Sequence, residues 1–97
     1  MNYLYIIRSK SYDKYYVGIT TQPDVRLEEH NNSERNLYTK RYRPWELAAL
    51  YSCGEDLGYA MRVERFIKKQ KSRAFIEKLI DKSFEPYGEL KGLVRIK

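Results

Sequence analysis

Two runs of β-branched and aromatic residues open this chain, and a turn-like segment of six residues separates them. The runs cover residues 2–8 and 15–20, and their composition is typical of β-strands. Residues 9–14 are too few for a crossover connection, so the two strands are predicted to pair as an antiparallel hairpin. This hairpin restricts the chain to folds that are built on a small antiparallel sheet.

A helix signal and then a polar stretch follow the hairpin. Thr21 is predicted to be the N-cap of a helix that has Pro23 in its first turn and ends at Asn31 or Asn32. Residues 33–44 are polar and basic, and they are predicted to form the longest loop.

The second half of the chain contains one strand signal and two helix signals. Residues 45–52 are predicted to form a third strand, although two adjacent alanines also favour a helix. After a break at residues 53–55, Asp56 is predicted to cap a helix that ends near Lys71. Ser72 is predicted to cap a further helix that ends near Lys82.

The order of these elements predicts an α+β fold with a small three-stranded antiparallel sheet flanked by helices. A chain of 97 residues buries a single modest core, so one domain is expected, at residues 1–82. Residues 83–97 are interpreted as a tail that either adds an edge strand or is mobile.

Composition limits the classes of function. Nineteen basic residues against thirteen acids give a formal charge of +6, and ten residues are tyrosine. A basic surface attracts polyanions, and aromatic rings can stack on bases. The single cysteine, Cys53, excludes an internal disulfide framework and a multi-thiolate zinc site, and it fits a reducing, cytoplasmic location. The sequence shows neither a membrane-spanning apolar stretch nor a secretory signal, so no membrane partner is expected.

Glu64 has the strongest functional pattern among the carboxylates. Four apolar residues surround it at helical spacing: Leu57, Ala60, Met61 and Ile67. A carboxylate at the edge of a core needs a cation, a hydrogen-bond donor or a metal ion. The alternative is a boundary glutamate that pairs with Arg62 or Lys68.

Four more residues have the chemistry of a catalytic site. Arg26 and His30 lie four residues apart, so they share one face of the first helix. An arginine can bind a phosphate through two parallel hydrogen bonds, although a solvated helix face has the same spacing. Tyr5 and Tyr16 lie on the paired strands and could carry a catalytic hydroxyl if cations or a metal favour the phenolate. Cross-strand packing is the alternative role for these rings.

Other residues are candidates for contact with a nucleic acid. Gly18 interrupts a good strand, which often marks a close approach of the backbone. Cations alternate with rings in residues 38–43, and a second basic cluster covers residues 68–73. These patterns are typical of phosphate contacts and base stacking, although a solvated basic face has the same composition. The candidates are Lys14, Gly18, Tyr38, Thr39, Lys40, Arg41, Arg43, Lys68 and Lys71.

The order of these motifs resembles that of the GIY-YIG nuclease superfamily, in particular its small single-domain members. The two signature triplets would be Tyr3-Leu4-Tyr5 and Tyr16-Val17-Gly18, in which Tyr3 and Val17 differ from the signature. Residues 26–31 resemble the arginine helix of the family, residues 38–45 its basic stretch and residues 60–68 its glutamate helix.

This resemblance implies a divalent-metal-dependent endonuclease that hydrolyses phosphodiester bonds in nucleic acid, with DNA as the expected substrate. Glu64 would bind Mg²⁺ or Mn²⁺, Arg26 would bind the non-bridging oxygens, and His30 would assist. The general base would be Tyr5 or Tyr16, and the sequence leaves both open. The alternative is a non-catalytic nucleic-acid-binding module that keeps the fold. Because the chain has no room for a specificity domain, specificity is expected from DNA structure or from a protein partner.

Overall fold

A computed structural model describes residues 1–34 and 37–97 of the protein. Its first strands, β1 (Asn2–Ser9) and β2 (Tyr15–Thr20), form the predicted antiparallel hairpin. The next strand, β3 (Trp45–Gly54), pairs antiparallel with the other edge of β1. β1 is therefore an interior strand with a partner along each edge.

The sheet has four strands, one more than predicted. The tail supplies β4 (Val94–Arg95), which pairs antiparallel with β3 and completes the order β2-β1-β3-β4. Leu90 and Leu93, which precede β4, are buried in the main core. The Arg95 guanidinium donates a hydrogen bond to the carbonyl oxygen of Leu79 at 3.1 Å, so β4 is also bound to the helical layer.

One face of the sheet is covered by α1 (Pro23–Asn32) and α2 (Leu37–Arg41). α1 begins at the predicted proline, but its N-cap is Gln22 and not Thr21. The amide of Gln22 donates to the hydroxyl of Thr20, which forms a tight turn and leaves the helix start without a side-chain cap.

The segment at residues 33–44 is not a continuous loop, because it contains α2. The backbone amide of Tyr42 donates to the carbonyl of Thr39, which closes the end of this short helix. Arg35 and Asn36, which the loop prediction also included, lie outside the described residues.

The opposite face is covered by α3 (Leu57–Lys69) and α4 (Arg73–Ile80). Both predicted caps are confirmed, since the side chains of Asp56 and Ser72 accept hydrogen bonds from backbone amides of the first turns. α3 ends earlier than predicted because Lys71 adopts the left-handed conformation, with φ at 48°. In the part of the chain that the structure describes, no helix has the length and apolarity to cross a lipid bilayer.

A β-bulge in β3 explains why its sequence resembles a helix. Ile6 lies opposite Ala49 and Ile7 lies opposite Leu47, so Ala48 is an extra residue. Both alanines therefore face the same side of the sheet, and the alternation expected of a strand is interrupted there.

Candidate active site

The hairpin brings a tyrosine against a glycine. Tyr5 of β1 lies opposite Gly18 of β2. A Cβ atom at residue 18 would lie 2.4 Å from the Tyr5 hydroxyl oxygen, so only glycine leaves room for this ring. The prediction of a close approach at Gly18 is thereby explained by a side chain from the neighbouring strand.

Tyr5 and His30 form the buried centre of the site. The Tyr5 hydroxyl oxygen and His30 Nε2 are 2.8 Å apart, and the two residues are only 2% and 3% exposed. His30 lies in the last turn of α1, which Asn31 ties to β3. The side-chain Nδ2 of Asn31 donates to the backbone carbonyl of Trp45 at 3.0 Å. Its Oδ1 accepts a hydrogen bond from the backbone amide of Trp45 at 2.6 Å.

Both members of this pair are uncharged at neutral pH. Burial, reinforced by the charge of Arg26, lowers the pKa of His30 to about 4. Burial also raises the pKa of Tyr5 to about 12, although a hydrogen bond with Arg26 opposes the rise. The phenol can therefore donate to a neutral imidazole, which then carries its own proton on Nδ1.

Arg26 lies one turn before His30 and reaches from the buried pair towards solvent. Its hydrogen bond with the Tyr5 hydroxyl is the largest cause of its raised pKa. The guanidinium also pairs with Glu29 at 3.1 Å, and the side chain is 43% exposed. Arg26 is thus a permanent cation with one side against the phenol and another open to a ligand.

Tyr16, on β2, lies beside the pair formed by Tyr5 and His30. Its ring centroid lies 6.4 Å from that of Tyr5 and 5.0 Å from that of His30. The ring is half-buried, and its hydroxyl has no hydrogen-bond partner within residues 1–34 and 37–97. Among the described residues, the Tyr16 hydroxyl is thus not engaged by a hydrogen bond, and its ring lies beside the buried pair.

The burial of α3 differs in part from the predicted pattern around Glu64. Ala60 and Ile67 are buried as expected, whereas Leu57 and Met61 are about half exposed. The buried face of α3 is centred on Val63, so Glu64 lies at the edge of that face.

Glu64 interacts with Lys68 and acts on the Tyr5 phenol. Its carboxylate pairs with Lys68 at 3.1 Å, which is one of the two partners considered from the sequence. Its charge also contributes to the raised pKa of Tyr5, so the carboxylate lies within electrostatic range of that phenol. Lys68 Nζ lies 5.5 Å from the ring centroid of Tyr16, which links the acid to the second tyrosine.

The donor set limits the kind of metal that the site could hold. Among the described residues, no three acidic, histidine or cysteine side chains lie close enough together to hold an ion. A hard cation such as Mg²⁺ keeps several waters and can be bound through one carboxylate and substrate oxygens. Glu64 fits that arrangement, because its side chain is 27% exposed.

Several predicted nucleic-acid contacts meet in one cleft. This cleft has a volume of about 470 Å³, and its lining includes Lys14, Tyr38, Lys68 and Lys71 next to Tyr16. Lys40 and Arg41 lie apart from it on the exposed side of α2, where Lys40 pairs with Glu34.

Two residues of the basic stretch have structural positions. Thr39 is fully buried and its carbonyl accepts a hydrogen bond from Trp45 Nε1 at 2.7 Å, so in this structure the residue packs against the tryptophan, and its predicted contact with nucleic acid stays a prediction. The Arg43 guanidinium donates to the carbonyls of His30, at 2.7 Å, and Ser33, so it holds the end of α1. The positioning roles of Arg43 and Asn31 were missed, because single polar residues carry no sequence signal for such contacts.

Comparison with known proteins identifies the family. A model of the GIY-YIG catalytic domain matches residues 1–79, which include Tyr5, Tyr16, Arg26, His30 and Glu64. A comparison with curated proteins found no match. Because the family match covers most of the chain, the protein belongs to the GIY-YIG family of nuclease domains.

Proposed function

We propose that this protein is a divalent-metal-dependent endonuclease that hydrolyses phosphodiester bonds in DNA. The observation that carries the proposal is that side chains from β2, α1 and α3 all act on the Tyr5 hydroxyl of β1: Tyr16, Arg26, His30 and Glu64. The family supports nuclease activity, and the formal charge of +6 supports a polyanionic substrate.

Arg26 is the residue best suited to bind the scissile phosphate. Its guanidinium can donate two parallel hydrogen bonds to non-bridging oxygens, and its charge does not depend on pH. Its exposed pair with Glu29 is worth only about 0.2–1 kcal/mol, so a phosphate can displace that partner.

The two tyrosines have different roles in this proposal. Tyr5 has a pKa of about 12, so only about one molecule in 10⁵ carries its phenolate at neutral pH. Its hydroxyl is engaged with His30, and it positions Arg26. The hydroxyl of Tyr16, which bonds no residue in the described part of the chain, is the one that we expect to hydrogen-bond the attacking water.

Glu64 would hold Mg²⁺ or Mn²⁺ together with waters and substrate oxygens. When bound, the ion would stabilise negative charge on the scissile phosphate and on the leaving oxygen. The carboxylate would then be shared with Lys68, so occupancy of the site is expected to weaken the Glu64–Lys68 salt bridge.

The test is cleavage of a substrate panel with Mg²⁺, Mn²⁺ or EDTA: single-stranded, nicked, branched and plasmid DNA. Glu64→Gln keeps the shape of the side chain and removes its charge, and it should lower the rate at least 100-fold. The matched control is Glu55→Gln at an exposed carboxylate that pairs with the N-terminal amine. Cleavage that persists in EDTA, or equal rates for both variants, would contradict the metal role of Glu64.

A second pair of variants separates the tyrosines. Tyr16→Phe should lower kcat about 100-fold or more, because it removes the group that orients water. Tyr5→Phe should have a smaller effect on kcat and should also lower the melting temperature. The reverse order would assign contact with the water to Tyr5.

The Glu64–Lys68 salt bridge is the observation that favours the alternative function, a non-catalytic module that binds nucleic acid. Such a module would bind DNA in EDTA and cleave no member of the panel in either metal.

A further inference from the structure

The cleft beside Tyr16 has a chemistry that the proposed hydrolysis does not use. Its volume of about 470 Å³ lies within the range of about 300–1,000 Å³ that is common for small-molecule sites. The rings of Tyr15, Tyr16 and Tyr38 line it above an aliphatic floor that includes Ile67. Such a surface suits a flat, apolar group.

Cations surround these rings. The guanidinium of Arg73 lies 4.8 Å from the ring centroid of Tyr15, and Lys14 and Lys71 also line the cleft. Asp13, an acid on the same rim, is paired with Arg73. A ligand that matches this cleft therefore combines a flat ring with a negative charge, which is the chemistry of a nucleotide.

The backbone at Lys71 is a second, independent observation. Its φ of 48° lies in the left-handed region, where glycine is favoured directly after a helix. A lysine is less stable than glycine in this conformation, so the backbone does not explain the residue. Lys71 lines the cleft, so this residue adds a cationic side chain to the lining.

Tyr38 offers the stacking surface. The residue is 44% exposed, and its ring contacts those of Tyr16, Tyr42 and Trp45 at centroid distances of 6.0, 5.1 and 6.5 Å. Tyr16 also belongs to the candidate active site, because its ring centroid lies 5.0 Å from that of His30. A nucleic-acid strand that passes Tyr16 and His30 can thus place the adjoining nucleotide in the cleft.

We propose that this cleft is a base-stacking subsite that takes one unpaired nucleotide next to the scissile phosphate, with the base on Tyr38 and the phosphate near Lys14 and Lys71. A base within a duplex is stacked on both faces and reaches the ring only after it is flipped out of the helix, at the free-energy cost of unpairing and unstacking it. The substrate class is therefore DNA with an unpaired nucleotide at the cut, as in a single strand, a flap or a loop. The inference rests on the proposed function, because it takes nucleic acid as the ligand of the neighbouring site.

The first test measures binding in EDTA, where cleavage does not interfere. The probes are a fluorescent single-stranded oligonucleotide, its blunt duplex, and a series of the single strand with one abasic position moved along it. Tyr38→Leu should weaken single-strand binding about tenfold, whereas Tyr38→Phe should stay within about twofold of wild type. One abasic position should reproduce the loss, and duplex binding should not respond to either variant.

Tyr87→Leu is the matched control, because Tyr87 is an exposed tyrosine that lies outside this cleft. It should leave single-strand binding unchanged. The inference is overturned if Tyr38→Leu binds the single strand like wild type, or if no abasic position lowers the affinity.

A second variant separates stability from binding. Lys71→Gly should raise the melting temperature by a few degrees because it relieves the left-handed backbone, and it should weaken single-strand binding. It should also reduce the slope of log affinity against log salt by about 0.7. Unchanged affinity together with a higher melting temperature would remove Lys71 from the subsite and overturn the inference.

The two proposals fail in different ways. If wild-type protein cleaves duplex and unpaired DNA equally and Tyr38→Leu has no effect, the nuclease stands and the subsite falls. If no substrate is cleaved in either metal but binding still depends on Tyr38 and on one base, the subsite stands and the catalytic proposal falls.

Discussion

The side of the sheet beneath α3 and α4 buries mainly aliphatic side chains, whereas the side beneath α1 and α2 buries a mixture of aromatic, aliphatic and polar ones. Leu4 and Ile6 belong to the first cluster, and Tyr5 and Trp45 belong to the second. The first face is closed mainly by non-directional apolar contacts, together with the Tyr51–Leu79 hydrogen bond. The second also depends on directed hydrogen bonds such as Tyr5–His30, so it holds its groups in defined orientations.

A single strand supplies both faces. Alternate residues of β1 point to opposite sides, so Ile6 enters the aliphatic cluster while Tyr5 and Ile7 enter the aromatic one. This arrangement lets a chain of 97 residues bury most of its aliphatic core on the face opposite Tyr5 and His30, although Glu64 belongs to α3, which covers that aliphatic face. Substitutions on the first face should therefore change stability, and those on the second should change the site as well.

Ile6→Ala gives the largest expected effect. Ile6 is fully buried, and its truncation leaves a cavity in the aliphatic cluster, so the free energy of unfolding should fall by about 4 kcal/mol. Urea denaturation measures this change. The protein that remains folded should keep its kcat, and a selective loss of kcat would show that the two faces are not separable. Ile96→Ala, at an exposed isoleucine, is the control.

Acid should destabilise the aromatic face through His30. The unfolded chain binds the His30 proton near pH 6.5, whereas the folded protein holds the pKa at about 4. Between these values the unfolded state binds more protons, so stability falls as the pH falls, by about 3 kcal/mol in total. Unfolding curves from pH 7 to pH 4 measure the loss.

The matched variant for this pH effect is His30→Gln, which can still hydrogen-bond Tyr5 but does not titrate. Its stability should depend less on pH than that of wild type over the same range. The same pH dependence in both proteins would mean that other groups cause the acid sensitivity.

Tyr5→Phe tests the difference between the two faces of the sheet by removing one hydroxyl oxygen. It leaves the buried Nε2 of His30 without its partner, so the free energy of unfolding should fall by about 2 kcal/mol. Tyr51→Phe provides a comparison on the other face, where the Tyr51 hydroxyl bonds the Leu79 carbonyl at 2.6 Å. Both should lower the melting temperature, but only Tyr5→Phe should lower kcat.

Arg43→Met should have the smallest effect on stability, about 1 kcal/mol, because it removes hydrogen bonds at the end of α1 and keeps the apolar stem. The expected signature is a fall in kcat of about tenfold as His30 loses its support. Arg41→Met, at an exposed residue of α2, should leave kcat within about twofold of wild type. Equal kcat values for the two variants would exclude a positioning role for Arg43.

The parts of the fold that sequence reasoning predicted depend on local signals. The hairpin follows from two β-rich runs and a short link, and the caps at Asp56 and Ser72 each need only the next turn of helix. β4 was left open because two residues carry almost no strand signal. The extra residue at Ala48 was missed because a bulge is specified by the partner strand.

The candidate site follows the same division. Tyr5, Arg26 and Glu64 were named from residue type, spacing and a family resemblance; in the structure Arg26 hydrogen-bonds the Tyr5 hydroxyl, and the charge of Glu64 contributes to the raised pKa of that phenol. The burial of Thr39 could not be predicted, because it depends on how Trp45 packs. The two-sided hydrogen bonding of Asn31 to Trp45 is tertiary in the same way.

The missing side chain at Gly18 bears on the distances along the sequence between the residues of the candidate site. The phenol above it comes from the same hairpin, so that contact spans a short stretch of chain. The imidazole of His30 comes from farther along, and the carboxylate of Glu64 from much farther still. In the proposed function, a displacement of α3 would therefore remove the carboxylate of Glu64 without breaking the contact between Tyr5 and Gly18.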